Sequence, residues 1–364
     1  MKDYSPIEID FNKNECAETF DSKILFICNQ IKTLKNAYVG NKSKLLYEIF
    51  AFLKYNNIQY NNVLDLFSGS AYVSLAMKMF GKNVVSNDIL ASSYLYAKAF
   101  VENNSIELTQ DEKKYLLTNT SICESAFVSN NFNDRFTVNE CFFLDRFYDN
   151  VQSIFKHDKD KQALAFSSLF IFILNYAFVG GRLNNGQVLA KLDHRLSHSR
   201  NKGYEIPFAK LFWYYFKSSG TGKAYNMDAI DFLRNMKNKV NKIDLVYLDP
   251  PYGGGQSDYA KMYNFFEQYL KQSDTLLNDN QLARFAKKKD YEFSFDLLLF
   301  ELDKWDVDTW LLSYNDSSWA SLDKIIQKVE KYKKVIVRDV QYHYKYRDKE
   351  NAAGSEYLIL ADRR

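Results

Sequence analysis

The sequence predicts an α/β fold: a mostly parallel sheet whose chain is interrupted by an inserted, mainly helical segment. Three observations predict it. From 38 to 103, short apolar runs alternate with amphipathic stretches at βαβ spacing. The alternation stops over 104–222 and resumes from 224 to the end. In the resumed half, "IDLVYLDPPYGGGQ" (243–256) drives a β-forming run into two prolines and three glycines.

Taken in order, residues 1–36 are a lead-in with one helical stretch at 22–35. "YVGNKSKLLYEIFAFLKY" (38–55) begins as a loop and becomes an amphipathic helix, with Leu45, Leu46, Ile49, Phe50 and Leu53 facing inward. "NVLDLF" (62–67) is a strand, and "SGSAYVSLAMKMFG" is a glycine turn and a helix ended by Gly81. "NVVSND" (83–88) is a second strand, followed by a helix over 92–103. Such units give parallel strands with right-handed crossovers. The resumed half supplies "AYNMDAIDFLRNM" (224–236), strands at 243–248 and 309–316, and a helix at 318–331. Its last two strands, "KKVIVRDVQYHY" and "SEYLILAD", pair as an antiparallel ribbon.

Composition narrows the function classes. With 364 residues, 46% of them hydrophobic, the chain can bury a large core. Cys16, Cys28, Cys123 and Cys141 form no CxxC pair, so free thiols in a reducing, cytoplasmic setting are expected, with no metal site. The polar N-terminus does not read as a signal peptide. The most apolar run, 163–181, is broken by Ser167, Ser168, Asn175 and Tyr176, and reads as a buried helix with no role in a membrane. The net charge is +3, but 181–223 alone carries +6, from Arg182, Lys191, Arg195, Arg200, Lys202, Lys210, Lys217 and Lys223 against Asp193 and Glu205. A basic segment in an otherwise slightly acidic chain points to a polyanion partner, or else to a solvated face.

Open α/β sheets bind ligands beyond the carboxyl ends of their strands. Three such ends carry acids here: Asp65, Asp88 and Asp249. Gly69 lets the backbone after the first strand approach a ligand closely. Asp88 stands where a carboxylate accepts from ribose hydroxyls. There is no GxxxxGK[ST], and "FSGSAYVS" is not a full GxGxxG. A nucleoside-type cofactor with a cationic amino-acid moiety suits this acidic turn better than a pyrophosphate does.

These motifs together resemble the alpha-group (Dam-like) DNA adenine-N6 methyltransferases, which use S-adenosylmethionine. The resemblance covers 37–103 and 170–361 in the family's motif order. "YVGNKSKLL" (38–46) resembles the N-terminal cofactor motif, "LDLFSGSAYVS" (64–74) the glycine turn and "SNDIL" (86–90) the acid-ended strand. "NMDAIDFL" (226–233) resembles the segment beside the cofactor adenine, and "LDPPY" (248–252) the catalytic loop. "LLSYND" (311–316) and "GSEYLILA" (354–361) resemble later strands. Two segments depart from the pattern. The turn reads "LFSGSA" where "PFxGxG" is common, and "NYAFVGGRLNNGQ" (175–187) only loosely matches the stretch that contains Arg182.

The resemblance implies a Rossmann-like methyltransferase sheet, mostly parallel with one antiparallel C-terminal strand. Residues 1–103 and 223–364 would form the catalytic domain, and 104–222 an inserted target-recognition domain. It implies S-adenosylmethionine at Tyr38, Gly40, Lys42, Asp65, Phe67, Ser68, Gly69, Asp88, Asp228, Ala229 and Asp249. The alternative for Asp228 is merely to cap the helix that follows it. Duplex DNA would meet Lys42, Arg182, Lys191, Arg195, Arg200 and Lys202. A cognate restriction endonuclease is an expected functional partner without a stable complex, and the chain is expected to be a monomer or weak dimer.

The exocyclic amine of adenine is a poor nucleophile, because its lone pair is delocalised into the ring. Two acceptors for the amino hydrogens localise that pair towards the methyl donor. Asp249 supplies a carboxylate and Pro250 a carbonyl, while Pro250 and Pro251 stiffen the backbone that aims them. Tyr252 offers a face for an extruded base. Two other readings stay open: an RNA or protein N-methyltransferase, and a DNA-binding regulator that has lost its chemistry. The first more often carries Asn at the position of Asp249, and the second should show a damaged "DPPY" or glycine turn.

Overall fold

The computed structural model describes residues 7–10, 19–119, 124–177, 189–197, 205–217, 220–251, 259–274, 285, 288–315, 318–343 and 353–363. Strands β2 (Asn62–Asp65), β3 (Asn83–Asp88), β5 (Thr221–Asn226), β6 (Leu245–Leu248), β7 (Thr309–Asn315), β8 (Lys334–His343) and β9 (Ala353–Asp362) form a seven-stranded sheet. Its order is β5-β3-β2-β6-β7-β9-β8. All neighbours from β5 to β7 are parallel, and β9 runs antiparallel to both β7 and β8. One strand opposes six, as the sequence predicts.

The strands read as continuous apolar runs because both faces of the sheet are covered. Period-2 alternation sends Val63, Leu245 and Tyr247 to one core and Leu64, Val246 and Leu248 to the other. Helices α1 (Phe20–Thr33), α2 (Leu46–Tyr55), α3 (Tyr72–Met79) and α4 (Ala91–Ala97) join the first core. A π-helical turn, Lys98–Glu102, extends α4 where a plain helix to 103 was expected.

The described part of 104–222 is mainly helical: α5 (Gln110–Thr118), α6 (Phe127–Asn131), α7 (Val138–Phe155), α8 (Lys159–Ala177) and α9 (Leu192–Ser197). It shares the first core instead of building its own. The α8 ring of Phe170 lies 4.6 Å from that of Phe266, and the Tyr269 hydroxyl donates to the Leu144 carbonyl at 2.7 Å. Leu164–Leu174 of α8 is buried throughout. No helix among the described residues is long and apolar enough to cross a membrane. A second sheet was not anticipated: β1 (Ile7–Asp10) pairs in parallel with β4 (Tyr214–Lys217) across some 200 residues of chain.

The second core is closed by α10 (Ala229–Met236), α13 (Lys288–Asp303) and α14 (Leu322–Glu330). Between β6 and α13 lie α11 (Tyr259–Met262) and α12 (Asn264–Lys271), which return to the first core. Helices α11 to α13 have no counterpart in the sequence reading. The Cys28 and Cys141 thiols are buried and free, whereas Cys16 and Cys123 lie outside the described residues.

Candidate active site

The chain moves from β2 outward to β3 and later returns to β6 on the other side of β2. The carboxyl ends of β2, β3 and β6 therefore flank the point where the strand order reverses, the usual ligand crevice of such sheets. A cleft of about 950 Å³, its open mouth included, lies there. Tyr38, Gly40, Lys42, Asp65, Phe67, Ser68, Gly69, Asp88, Asp228, Ala229 and Asp249 all line it, together with Pro251. Pro250 is buried, and Tyr252 and Gly253–Gly255 lie outside the described residues.

The glycine turn is shaped by two left-handed residues, Gly69 at φ +49° and Ala71 at φ +60°. A Cβ on Gly69 would sit 3.3 Å from the Tyr38 ring, so close approach as well as backbone shape calls for glycine there. Ala71 occupies the second such position at a steric cost of about 1–2 kcal/mol. The Gly69 N–H donates to Asp88 Oδ2 at 2.8 Å and the Leu90 N–H to Asp88 Oδ1 at 2.9 Å, which ties the turn to the end of β3. Burial outweighs these bonds and pushes the Asp88 carboxyl up to about 6.

Asp65 stands deeper. Ser74 Oγ donates to its Oδ2 at 2.7 Å, and Ser86 Oγ to Ser74 Oγ at 2.6 Å. Burial, with Asp249 and Asp88 adding to it, raises the Asp65 carboxyl to about 7. Asp65 Oδ1, Ser68 Oγ and Asn87 Oδ1 are buried without a hydrogen-bond partner among the described residues. Buried polar atoms normally have one, and all three residues line the cleft.

Lys42 is nearly inaccessible, and its ammonium lies 2.9 Å from Asp249 Oδ2 and donates to the Gly40 carbonyl at 3.2 Å. Burial alone would lower its pKa, but Asp249 and Glu356 together raise it and keep the group charged. This placement corrects the expectation that Lys42 reaches DNA phosphate: it serves the carboxylate at the end of β6. Tyr38 stacks on Tyr263, with centroids 4.4 Å apart and planes 7° apart. Asp228 caps α10, accepting from the Ile230 and Asp231 N–H groups at 2.9 and 3.1 Å, and also lines the cleft.

The basic segment resolves into unlike roles. Arg195 is fully buried, donates from Nη1 to Glu140 Oε1 at 2.9 Å and pairs through Nη2 with Glu140 Oε2. Its assignment to DNA is therefore corrected, because a guanidinium enclosed on a carboxylate cannot meet a phosphate. Lys223 pairs with Glu102 at 3.0 Å. Lys191 and Lys210 are exposed, while Arg182, Arg200 and Lys202 lie outside the described residues. No group of three His, Cys, Asp or Glu side chains among the described residues is arranged to hold a metal ion.

Sequence reasoning missed Tyr259, Tyr263, Asn87, Phe285 and Glu356. Tyr259 and Phe285 line the cleft, and Glu356 faces Lys42 from β9. The four-residue spacing of Tyr259 and Tyr263 was the available signal, since it places both on one helical face. Nothing local marks Phe285 or Glu356.

Residues 38–325 match the profile of the D12 class N6 adenine-specific DNA methyltransferases. The chain is similar to the type II methyltransferase M2.HphI of Haemophilus parahaemolyticus, at 28% identity over 92% of this chain and all of that one. It is also similar to the modification methylase StsI of Streptococcus sanguinis, at 27% identity over 64% of this chain and 36% of that one. The type II methyltransferase M.FokI of Planomicrobium okeanokoites is 26% identical over 63% of this chain and 36% of that one.

Proposed function

The chain belongs to the D12 class N6 adenine-specific DNA methyltransferase family, and from that membership we propose that it methylates N6 of an adenine extruded from duplex DNA, with S-adenosylmethionine as donor. The observation that carries the proposal is the meeting of Asp249 with the acidic glycine-turn cleft at one strand-order switch. Asp65, Asp88, Asp228 and Asp249 line that cleft with Lys42, a net negative wall that suits a cationic ligand. The polar side chains of Asp65, Ser68 and Asn87 along the cleft suit its polar groups.

S-adenosylmethionine supplies a methyl group on a sulfonium, which needs no metal to be transferred. Asp88 would hold the ribose hydroxyls, and Asp65 would face the amino-acid end. Asp249 and the Pro250 carbonyl would accept the two amino hydrogens of the base, and Tyr252 would stack on it. Lys42 holds one oxygen of Asp249 and so fixes the rotation of the carboxylate. Residues 104–222 would provide target recognition. The names of the relatives, type II methyltransferase and modification methylase, support a restriction–modification setting. The deciding experiment is methyl transfer from labelled donor to duplex DNA, RNA and protein, with nucleoside analysis of the product. Label in RNA or protein, or at cytosine, would sink the proposal.

Donor affinity should depend on pH. Asp65 and Asp88 are raised to about 7 and about 6 by burial. A carboxyl raised in the fold favours its neutral form, so the ligand-free protein loses stability from this source as pH rises from about 4 through 7. A cationic donor prefers both groups ionised. Its affinity should increase from pH 5 to 8, with proton release on binding near pH 6, read by calorimetry in buffers of different ionisation enthalpy. Asp88→Asn should remove the lower part of that dependence. A flat profile in the wild type would contradict the placement of the donor beside these two acids.

DNA affinity should fall steeply with salt, by about 0.9 log unit per phosphate neutralised for each log unit of salt. Lys191→Ala with Lys210→Ala should flatten that slope and weaken binding to all sequences alike. An unchanged slope would leave both lysines on a solvated face.

A further inference from the structure

We propose that Tyr263 is a positioning residue for donor binding: it ties the Tyr38–Lys42 rim of the cleft to the helix that begins at Asn264. The inference rests on reading the cleft as the donor site. The Tyr263 ring lies flat on that of Tyr38, and its hydroxyl accepts from the Val39 N–H at 2.7 Å. Tyr263 is itself buried.

Four residues on, Glu267 holds the opposite rim. Its carboxylate accepts from the Ala91 N–H at 3.0 Å, the Ser92 N–H at 2.8 Å and Ser92 Oγ at 2.8 Å. These residues directly follow the turn in which Asp88 accepts from Leu90. The Tyr38 hydroxyl and Ser93 Oγ, 3.3 Å apart, join the two rims. One helical turn thus spans both sides of the cleft, because residues four apart share a face.

Neither Tyr263 nor Glu267 lines the cleft. Their effect on the reaction passes through Tyr38, Gly40 and Asp88, which do. The rim has little room to shift on its own. Gly40 sits at φ +80°, and a Cβ there would meet the Tyr259 hydroxyl at 2.8 Å.

Tyr263→Phe keeps the ring stack and deletes only the hydroxyl. It should weaken donor binding about tenfold, the effect of one ordinary hydrogen bond. The KM for DNA and the kcat at saturating donor should stay within about threefold. Tyr263→Leu, which loses the ring as well, should weaken donor binding further. A merely structural tyrosine would lower the melting temperature and kcat together and leave the donor KM alone.

Hydrogen exchange over 37–45 in the ligand-free protein supplies a second measure that needs no donor. It should speed up in Tyr263→Phe while exchange over β2 does not change. Unchanged exchange over 37–45 overturns the inference whatever the ligand is. Faster exchange with unchanged donor affinity also overturns it, because the rim would then not govern the site. If the wild type binds no S-adenosylmethionine, the reading of the cleft fails, and the exchange measurement still decides whether Tyr263 holds the rim.

Discussion

Asp249→Ala should lower the rate of methyl transfer about 10²–10³-fold, the order of effect for one preorganised polar group acting on a transition state. Asp249 follows β6, whose residues Leu245–Leu248 are buried on both faces, so the carboxylate projects from a rigid support. The prolines at 250 and 251 limit the backbone beyond it. An amine whose lone pair is delocalised gains most when both hydrogens are held, and alanine leaves only the Pro250 carbonyl. Asp249→Asn keeps an acceptor oxygen of the same reach and should lose less.

The same substitution has a second consequence that the sequence did not reveal. Lys42 is only 6% exposed and loses its nearest carboxylate. Removing one partner of a buried pair costs about 3–5 kcal/mol. The Gly40 carbonyl and Glu356 remain near the ammonium, which keeps the loss towards the low end. Fold and chemistry can be separated with the double variant Lys42→Met/Asp249→Ala, which removes the stranded charge. Thermal melting should recover while methyl transfer does not. Recovery of both would remove Asp249 from the chemistry.

What the sequence disclosed was whatever is encoded locally. Asp65, Gly69 and Asp88 fall within one βαβ unit, and the end of β6 is marked by Pro250 and Pro251. A strand end, its turn and the next helix are written within a few residues of one another, so their place in the sheet could be foreseen. What depends on distant partners could not. β1 and β4 meet across some 200 residues, and neither run carries a signal naming its partner. Glu356 comes from β9 to face Lys42 through the antiparallel return of the sheet. Tyr263 acts through a contact with Val39, 224 residues earlier. Asp228 was legible in both respects: the run from 226 to 233 pointed to a helix cap and to a place beside the ligand, and the residue caps α10 and lines the cleft.

Charge was the least reliable guide, and Arg195 shows why. A charge count presumes that cations lie in solvent, but Glu140, 55 residues earlier, takes this one into the core. Glu140 also closes the capping box of α7 through the Thr137 N–H at 2.9 Å and accepts from the Ile206 N–H at 2.6 Å. One carboxylate thus joins the start of α7, helix α9 and the chain at 206. Arg195→Ala should destabilise the protein by about 3–5 kcal/mol, because it leaves a buried carboxylate without its cation. Thermal melting should show the loss, and limited proteolysis should cut first within 189–206. Glu140→Gln/Arg195→Met, which removes both charges but keeps an acceptor oxygen for the buried Ile206 N–H, should recover part of that stability, since a buried ion pair repays little more than its own desolvation. It should also recover DNA affinity. A double variant that melts like the wild type but binds DNA tenfold more weakly would return Arg195 to the DNA surface.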